Sequence, residues 1–253
     1  SVMDWKNAPA DGAVRLAWTG GAGFVITFQS LRIGIDLYLS DACRDENGAF
    51  KRLTLPPCRA EDLELDYLIS THDHGDHFDA GSVPIWLERL PDLKIIGPSS
   101  VIAFAEGLGL DTVRFIRLDR GMGLDCGPVR LRAVTADHGD QSPDAIGVIL
   151  ELGGKSVFFA GDVTYHDRYT DYTMGYRDFD VLLVAINGQF GNPDAQQAAD
   201  IAAMLTPRAV IPCHYWMFKE HGGDPMQFVT ACLQKEPPLC PVVLAVGEEY
   251  RIL

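Results

Sequence analysis

The 253-residue sequence predicts an α/β or α+β fold in which two sheets pack together and carry helices on their outer faces. Short apolar, β-branched runs recur in two series, and helical spacing follows each series. The composition, 47% hydrophobic and 22% charged, is that of an ordinary globular chain. The sequence has no linker-like stretch and no fixed-period repeat, so we expect residues 1–253 to form a single domain.

The first series of elements occupies the N-terminal part of the chain. Turn signals at Gly20-Gly21 and Gln29-Ser30 separate its opening strands. The predicted strands are Val14–Thr19, Phe24–Phe28, Leu31–Leu39, Asp66–Ser70 and Lys94–Gly97. Helices are predicted over Ser82–Leu90 and Ser99–Leu108, where apolar residues recur at helical intervals.

The second series is again dominated by strands. They are predicted over Val113–Leu118, Val129–Thr135, Ile146–Leu152, Lys155–Ala160, Val181–Ile186, Ala209–Pro212 and Val242–Val246. One helix is predicted over Pro193–Leu205, with Asn192 as its N-cap and proline in its first turn. Another is predicted over Pro225–Gln234, with Asp224 as its cap.

Charge and cysteine usage restrict the partners and the compartment. Acidic residues outnumber basic ones by 35 to 21, a formal net charge of −14, and no Lys/Arg run offsets this excess. We therefore expect a small-molecule substrate, with no nucleic acid or membrane as partner. Ser1–Ala10 lacks the pattern of a signal peptide, and the six cysteines form no Cys-x-x-Cys pair, which favours a cytoplasmic protein with reduced thiols. The sequence leaves open whether the protein forms a homo-oligomer.

A dense cluster of histidines follows the strand Asp66–Ser70. His72, His74 and His77 are three of the seven histidines of the chain, and Asp76 lies among them. Imidazole and carboxylate are suitable ligands for zinc and neighbouring divalent metals. Gly75 is expected to adopt a positive φ that folds the loop back. The alternative is a solvated polar loop in which Asp76 caps the next helix.

Three further residues follow predicted strands: His138, Asp162 and His214. Taken singly, each is more typical of an ordinary turn. Together with the cluster they provide enough ligands for two adjacent metals bridged by one carboxylate. The sequence therefore predicts a binuclear metal site.

The run Thr71-His72-Asp73-His74-Gly75-Asp76-His77 resembles the signature of the metallo-β-lactamase superfamily, and His138, Asp162 and His214 match its later ligand positions in order. Ile35-Asp36, Ala160-Gly161-Asp162 and Ile211-Pro212-Cys213-His214 look like the L-ascorbate-6-phosphate lactonase branch. The resemblance implies an αββα four-layer sandwich with the site at one edge. It also implies two zinc or manganese ions. One would be held by His72, His74 and His138 and the other by Asp76, His77 and His214, with Asp162 bridging.

The implied activity is metal-dependent hydrolysis, in which a metal-bridging hydroxide opens a small lactone or ester, such as the phosphorylated sugar lactone L-ascorbate 6-phosphate. Asp76 and Asp162 are the candidate catalytic residues, and Asp76 would orient the nucleophile and accept its proton. Asp36 is a candidate partner of a ligating imidazole. Tyr165, Tyr215 and Trp216 are weaker candidates for contact with substrate.

Two other functions remain open at this point. One is a metal-dependent phosphodiesterase. The other is a mononuclear iron sulfur dioxygenase or a non-catalytic metal-binding module.

Overall fold

The first of two mixed sheets is built mainly from the N-terminal half of the chain. The computed structural model describes residues 12–252. The strands of this sheet are β1 (Val14–Gly20), β2 (Gly23–Phe28), β3 (Leu31–Ile35), β4 (Tyr67–Ile69), β5 (Lys94–Gly97), β6 (Phe115–Arg117) and β13 (Glu249–Arg251). They lie in the order β13-β1-β2-β3-β4-β5-β6. Pairing is antiparallel from β13 to β3 and parallel from β3 to β6.

The second sheet has six strands and a similar division into antiparallel and parallel parts. They are β7 (Gly123–Cys126), β8 (Val129–Thr135), β9 (Ile146–Leu152), β10 (Lys155–Phe159), β11 (Val181–Ala185) and β12 (Ala209–Cys213), in the order β12-β11-β10-β9-β8-β7. Strands β7 to β10 pair antiparallel, whereas β10, β11 and β12 are parallel. Because β8 and β10 both pair antiparallel with β9, β8 ends at the same edge as β10.

Helices accompany both sheets. They are α1 (Val83–Arg89), α2 (Ser99–Gly107), α3 (Tyr169–Tyr172), α4 (Ala195–Leu205) and α5 (Pro225–Leu233). Helix α2 contacts β5 and β6, and α4 contacts both β11 and α5. Within residues 12–252, none of the helices combines the length and the apolar character needed to cross a membrane.

Alternation along the strands of the first sheet separates two apolar layers. Leu16, Phe24 and Ile26 join the large core between the sheets. Their neighbours Ala17 and Val25 face the other way, into a second cluster that contains residues of α1 and α2. This two-residue period is what a sheet covered on both faces requires. The predicted fold class is confirmed.

Several predicted boundaries need correction. The strand predicted over Leu31–Leu39 ends at Ile35, because Asp36 turns the backbone to a φ of 45°. Asn192 is not the N-cap of α4. Asp194 caps this helix, and the side chain of Asn192 donates a hydrogen bond to Asp162. Val242–Val246 forms no strand, and its neighbour Pro241 makes only an isolated bridge with Val210.

The sequence did not predict β7, α3 and β13, which are four, four and three residues long. Segments this short carry little periodicity. Ser1–Ala10, which was predicted to lack a signal peptide, lies outside the residues that the structure describes.

Candidate metal centre

The candidate residues converge because five strands end at one edge of the molecule. The loop after β3 carries Asp36, the loop after β4 carries the histidine cluster, and the loops after β8, β10 and β12 carry His138, Asp162 and His214. A crevice outside the carboxyl ends of strands is the usual ligand site of open α/β sheets. Here two such edges, one from each sheet, face the same space.

The loop after β4 folds back on itself immediately after its first histidines. The backbone N–H groups of His77 and Phe78 both donate to the carbonyl oxygen of His74, at 3.0 and 2.8 Å. The expectation that Gly75 takes a positive φ is wrong. Glycine is favoured there by close packing instead, since a Cβ on Gly75 would lie 3.0 Å from Cys43 Sγ.

Six of the candidates form two groups of three. Each group offers three ligand atoms that lie within 4.8 Å of one another: His72, His74 and His138 in one group, and Asp76, His77 and His214 in the other. In the first group His72 Nε2 is 3.0 Å from His74 Nδ1, and in the second His77 Nε2 is 3.0 Å from His214 Nε2. In each group, two imidazole nitrogens are therefore in direct contact, with no carboxylate between them.

Asp162 lies between the two groups. Its Oδ1 is 3.4 Å from His77 Nε2 and 3.3 Å from His214 Nε2, while its Oδ2 is 3.7 Å from His138 Nε2. Asn192 fixes this orientation, because its Nδ2 donates to Asp162 Oδ2 at 2.7 Å. Asp162 therefore faces both groups, the position expected of a bridging carboxylate.

Asp36 directly follows β3 and forms hydrogen bonds with the histidine loop. Its carboxylate accepts hydrogen bonds from Thr71 N at 2.8 Å and Thr71 Oγ1 at 2.6 Å, and it contacts His77 Nδ1 at 2.6 Å. With Nδ1 hydrogen-bonded to Asp36, Nε2 is the ring nitrogen of His77 that faces the centre. Asp36 also groups with His72 and His77 as a third set of ligand atoms, although its Oδ2 is engaged by His77.

The electrostatics of the centre follow from burial and from the mixture of acids and imidazoles. Burial lowers the pKa of His72 well below its ordinary value, and it lowers that of His138 as well. Burial opposes the charged form of His77, yet Asp162, Asp76 and Asp36 outweigh it and raise its pKa to about 10.

The two central carboxylates respond in the opposite sense. Burial raises the pKa of Asp76 and Asp162, but the neighbouring imidazoles, chiefly His77 and His214, more than offset this and hold both pKa values below their usual range. The pKa of His214 is raised, because Asp162 and Asp76 outweigh its burial. The centre is therefore built around ionised carboxylates that attract positive charge.

Several buried polar atoms of the centre have no hydrogen-bond partner among residues 12–252. They are both ring nitrogens of His138, Asp162 Oδ1 and His214 Nδ1. A buried polar group without a partner is costly and rare. For His138 Nε2 and Asp162 Oδ1, which point toward the neighbouring ligand atoms, a divalent cation is the natural partner. The donor set of imidazoles and carboxylates thus fits zinc, manganese or a similar ion.

The three weaker aromatic candidates lie away from the cavity at this centre. Tyr215 is buried in the core, with its ring 5.0 Å from that of Trp18. Trp216 is 55% exposed, and Tyr165 packs against the core between the sheets. The backbone is left-handed at both His214 and Trp216, with φ values of 59° and 55°.

The sequence reading did not identify His221 or Asn192 as site residues. His221 is buried, its ring centre is 4.6 Å from that of His214, and its Nε2 is 4.0 Å from Asp76 Oδ2. Burial, followed by the charge of His214, lowers its pKa to about 3. Its position seven residues after His214, in the same loop, was the available signal. Asn192 gave no such signal, because asparagine before a helix is typical of a cap.

Comparisons with known proteins agree with this geometry. A family model described as a beta-lactamase superfamily domain matches residues 37–215. A UPF0173 protein of Pyrococcus furiosus is 32% identical over 215 residues, covering 85% of this chain and 89% of that protein. A UPF0173 metal-dependent hydrolase of Thermococcus kodakarensis is 26% identical, covering 94% of this chain and 100% of that protein. The solved structure of Igni18, a metallo hydrolase from Ignicoccus hospitalis, matches with a TM-score of 0.75 at 21% identity, covering 94% of this chain and 98% of that one.

Proposed function

This chain belongs to the metallo-β-lactamase superfamily, and from that membership we propose that it is a metal-dependent hydrolase that opens a small lactone or ester. Relatives named metal-dependent hydrolases support the reaction class. The observation that carries the proposal is the pairing of two three-residue ligand groups around one carboxylate, Asp162.

The two ligand groups support an assignment of the residues that would hold metal. His72, His74 and His138 would hold one cation, and Asp76, His77 and His214 would hold another, with Asp162 shared between them. The chemistry that divalent ions such as zinc or manganese supply in such a site is polarisation of a carbonyl and activation of water near neutral pH.

Asp76 is the carboxylate best placed to act on the attacking water. Both Asp76 and Asp162 line the cavity, but the side chain of Asp76 is 19% exposed, whereas that of Asp162 is 5% exposed and is held by Asn192. Because its pKa is held low, Asp76 stays ionised near neutral pH and accepts a hydrogen bond from that water. It thereby orients the water toward the carbonyl carbon, while Asn192 and Asp36 keep Asp162 and His77 aligned.

Hydrolysis of an uncharged carbonyl is favoured over the two alternatives. Among residues 12–252, none of those that line the cavity is Lys or Arg, the side chains that bind a charged phosphodiester most readily. A single-iron oxygenase would need only one of the two ligand groups. The L-ascorbate-6-phosphate lactonase branch stays a prediction.

The test combines metal analysis with a substrate panel. We expect about two divalent ions per chain by elemental mass spectrometry, and hydrolysis of γ-butyrolactone or p-nitrophenyl acetate in preference to bis(p-nitrophenyl) phosphate. Asp162→Ala and His138→Ala should each lower kcat/KM at least about 10³-fold, since they disrupt the charge stabilisation of the transition state.

A matched control is His166→Ala, which removes a histidine whose side chain is 36% exposed outside the centre. It should retain both metal and activity. Faster turnover of the phosphodiester would identify a phosphodiesterase instead. One iron per chain, with oxygen consumed on a sulfur substrate, would identify the dioxygenase.

A further inference from the structure

Three phenylalanines face the ligand groups across a cavity of about 400 Å³. Phe50 comes from the loop between β3 and β4, Phe190 from the loop between β11 and α4, and Phe218 from the loop after β12. The ring centre of Phe50 is 6.0 Å from that of Phe190 and 5.7 Å from that of Phe218. We call these three residues the aromatic wall.

Unusual backbone conformations position two members of the aromatic wall. Phe50 has a φ of 53° and Phe190 a φ of 54°. Bulky L-residues rarely adopt this left-handed region, and it costs free energy that the rest of the fold must offset. Two separate loops adopt the same unfavourable conformation, and their rings meet at one cavity. Such strain is characteristic of ligand-binding sites.

One member of the aromatic wall is buried, and another is largely exposed. Phe218 is 1% exposed and packs with Tyr38 and Met217 in a small cluster that is separate from the two main cores. Phe190 is 43% exposed, although its ring lies 6.0 Å from that of His221. An apolar ring left this accessible beside the candidate metal centre gains most when a ligand covers it.

The wall side of the cavity offers little to a charged substrate. Its remaining lining residues include Cys43, Gln141 and His221, and none of the described lining residues is Lys or Arg. Burial raises the pKa of the Cys43 thiol to about 12, which keeps it neutral. Gln141 Nε2 donates to the backbone oxygen of Phe190 at 3.3 Å. The described part of the chain therefore provides no cationic side chain that would bind a phosphate group on this side of the cavity.

We propose that the aromatic wall binds an uncharged alkyl or aryl substituent of the substrate, next to the carbonyl that faces the ligand groups. The substrate class is then an apolar lactone or ester without phosphate. This assignment rests on the proposed hydrolase function, of which it specifies the substrate.

A series of 5-alkyl γ-lactones, from methyl to hexyl, tests the assignment. We expect kcat/KM to rise about three- to fourfold for each added methylene until the cavity is filled, as burial of that group predicts. Phe190→Ala should lower the hexyl-to-methyl ratio of kcat/KM at least about tenfold. Tyr176→Ala removes another exposed aromatic ring, one that stacks on Arg132 away from the cavity, and should leave that ratio unchanged.

A binding experiment separates this proposal from the hydrolase proposal. The corresponding 5-alkyl 2-pyrrolidinones resist hydrolysis, and calorimetry should show their affinity rising with chain length in the wild type and much less in Phe190→Ala. If affinity rises in this way but no ester or lactone turns over, the hydrolase proposal fails and the aromatic wall stands. If lactones turn over with no dependence on chain length, or if L-ascorbate 6-phosphate is preferred to hexyl lactone, the aromatic wall assignment is overturned.

Discussion

At the scale of single residues, Asp36 shows how one buried carboxylate organises the centre. It is fully buried, and its hydrogen-bond partners are the backbone and hydroxyl of Thr71 and the imidazole of His77. These bonds fix both the start of the histidine loop and the tautomer of one candidate ligand. A carboxylate behind a ligating imidazole also increases the basicity of that imidazole.

Asp36→Asn should weaken metal binding about 10–100-fold, because the neutral amide stabilises His77 less as a donor and a ligand. Competition with a chelator of known affinity measures this change. Asp180→Asn is the matched control, since Asp180 accepts hydrogen bonds from Ser156 and lies outside the cavity at the centre. Equal metal affinity in wild type and Asp36→Asn would contradict the positioning role.

Some residues in and around the centre could be recognised from the sequence, and others could not. His72, His74 and His77 were recognisable because their residue types and close spacing already carry ligand chemistry. Phe50 and Phe190 were not, because they belong to separate loops of the chain and meet only after both sheets have formed. Phenylalanine in a loop carries no signal of its own, whereas the positive φ that places it is visible only in the structure.

At the scale of elements, the residues just before helix α4 have two separate roles. One caps the helix, and another holds a side chain of the candidate metal centre. Asp194 accepts from Gln197 N at 2.8 Å, and Gln197 Oε1 accepts from Asp194 N at 3.0 Å, which completes a capping box. Asn192, two residues earlier, is thereby available to hold Asp162. The sequence prediction placed the N-cap at Asn192, and the hydrogen bond of Asn192 to Asp162 is a tertiary contact that local sequence does not report.

Asp194→Ala should lower the free energy of unfolding by about 1 kcal/mol, the usual cost of losing an N-cap. Urea denaturation monitored by circular dichroism measures it. Gln196→Ala, at an exposed position of the same helix turn, should change stability by less than about 0.5 kcal/mol. Equal stability of the two variants would show that the capping box contributes nothing.

Strands were predictable where apolar residues alternate with polar ones, as in Val129–Thr135, or run almost continuously, as in Ile146–Leu152, and the predicted and observed bounds of both strands agree. Val242–Val246 is equally apolar but forms no strand. Val242 N donates to Val210 O beside the edge strand β12, and the chain then leaves the sheet. Local sequence reports the tendency to extend, whereas a strand also requires a partner along its length.

At the scale of the whole molecule, the candidate metal centre connects the two sheets. Asp76 and His77 come from the first sheet, and His138, Asp162 and His214 come from the second. These residues are up to 138 positions apart in sequence, from Asp76 to His214, so their convergence requires that both sheets fold and pack together. A ligand held by both sides therefore binds the folded state and not the unfolded chain, which couples binding to stability.

Removal of metal should therefore lower Tm. A cation present at 100 times its Kd stabilises the folded state by about 2.7 kcal/mol, and a chain of this size gains about 2–4 °C per kcal/mol, so the expected shift is about 5–10 °C. Calorimetry of chelator-treated protein, before and after adding zinc or manganese, measures it. His138→Ala should reduce the shift because one ligand group is incomplete, whereas His166→Ala should retain it. A Tm that does not respond to metal would mean that the five loops are held in place by the protein alone, because a cation that bound only the assembled centre would necessarily shift unfolding to higher temperature.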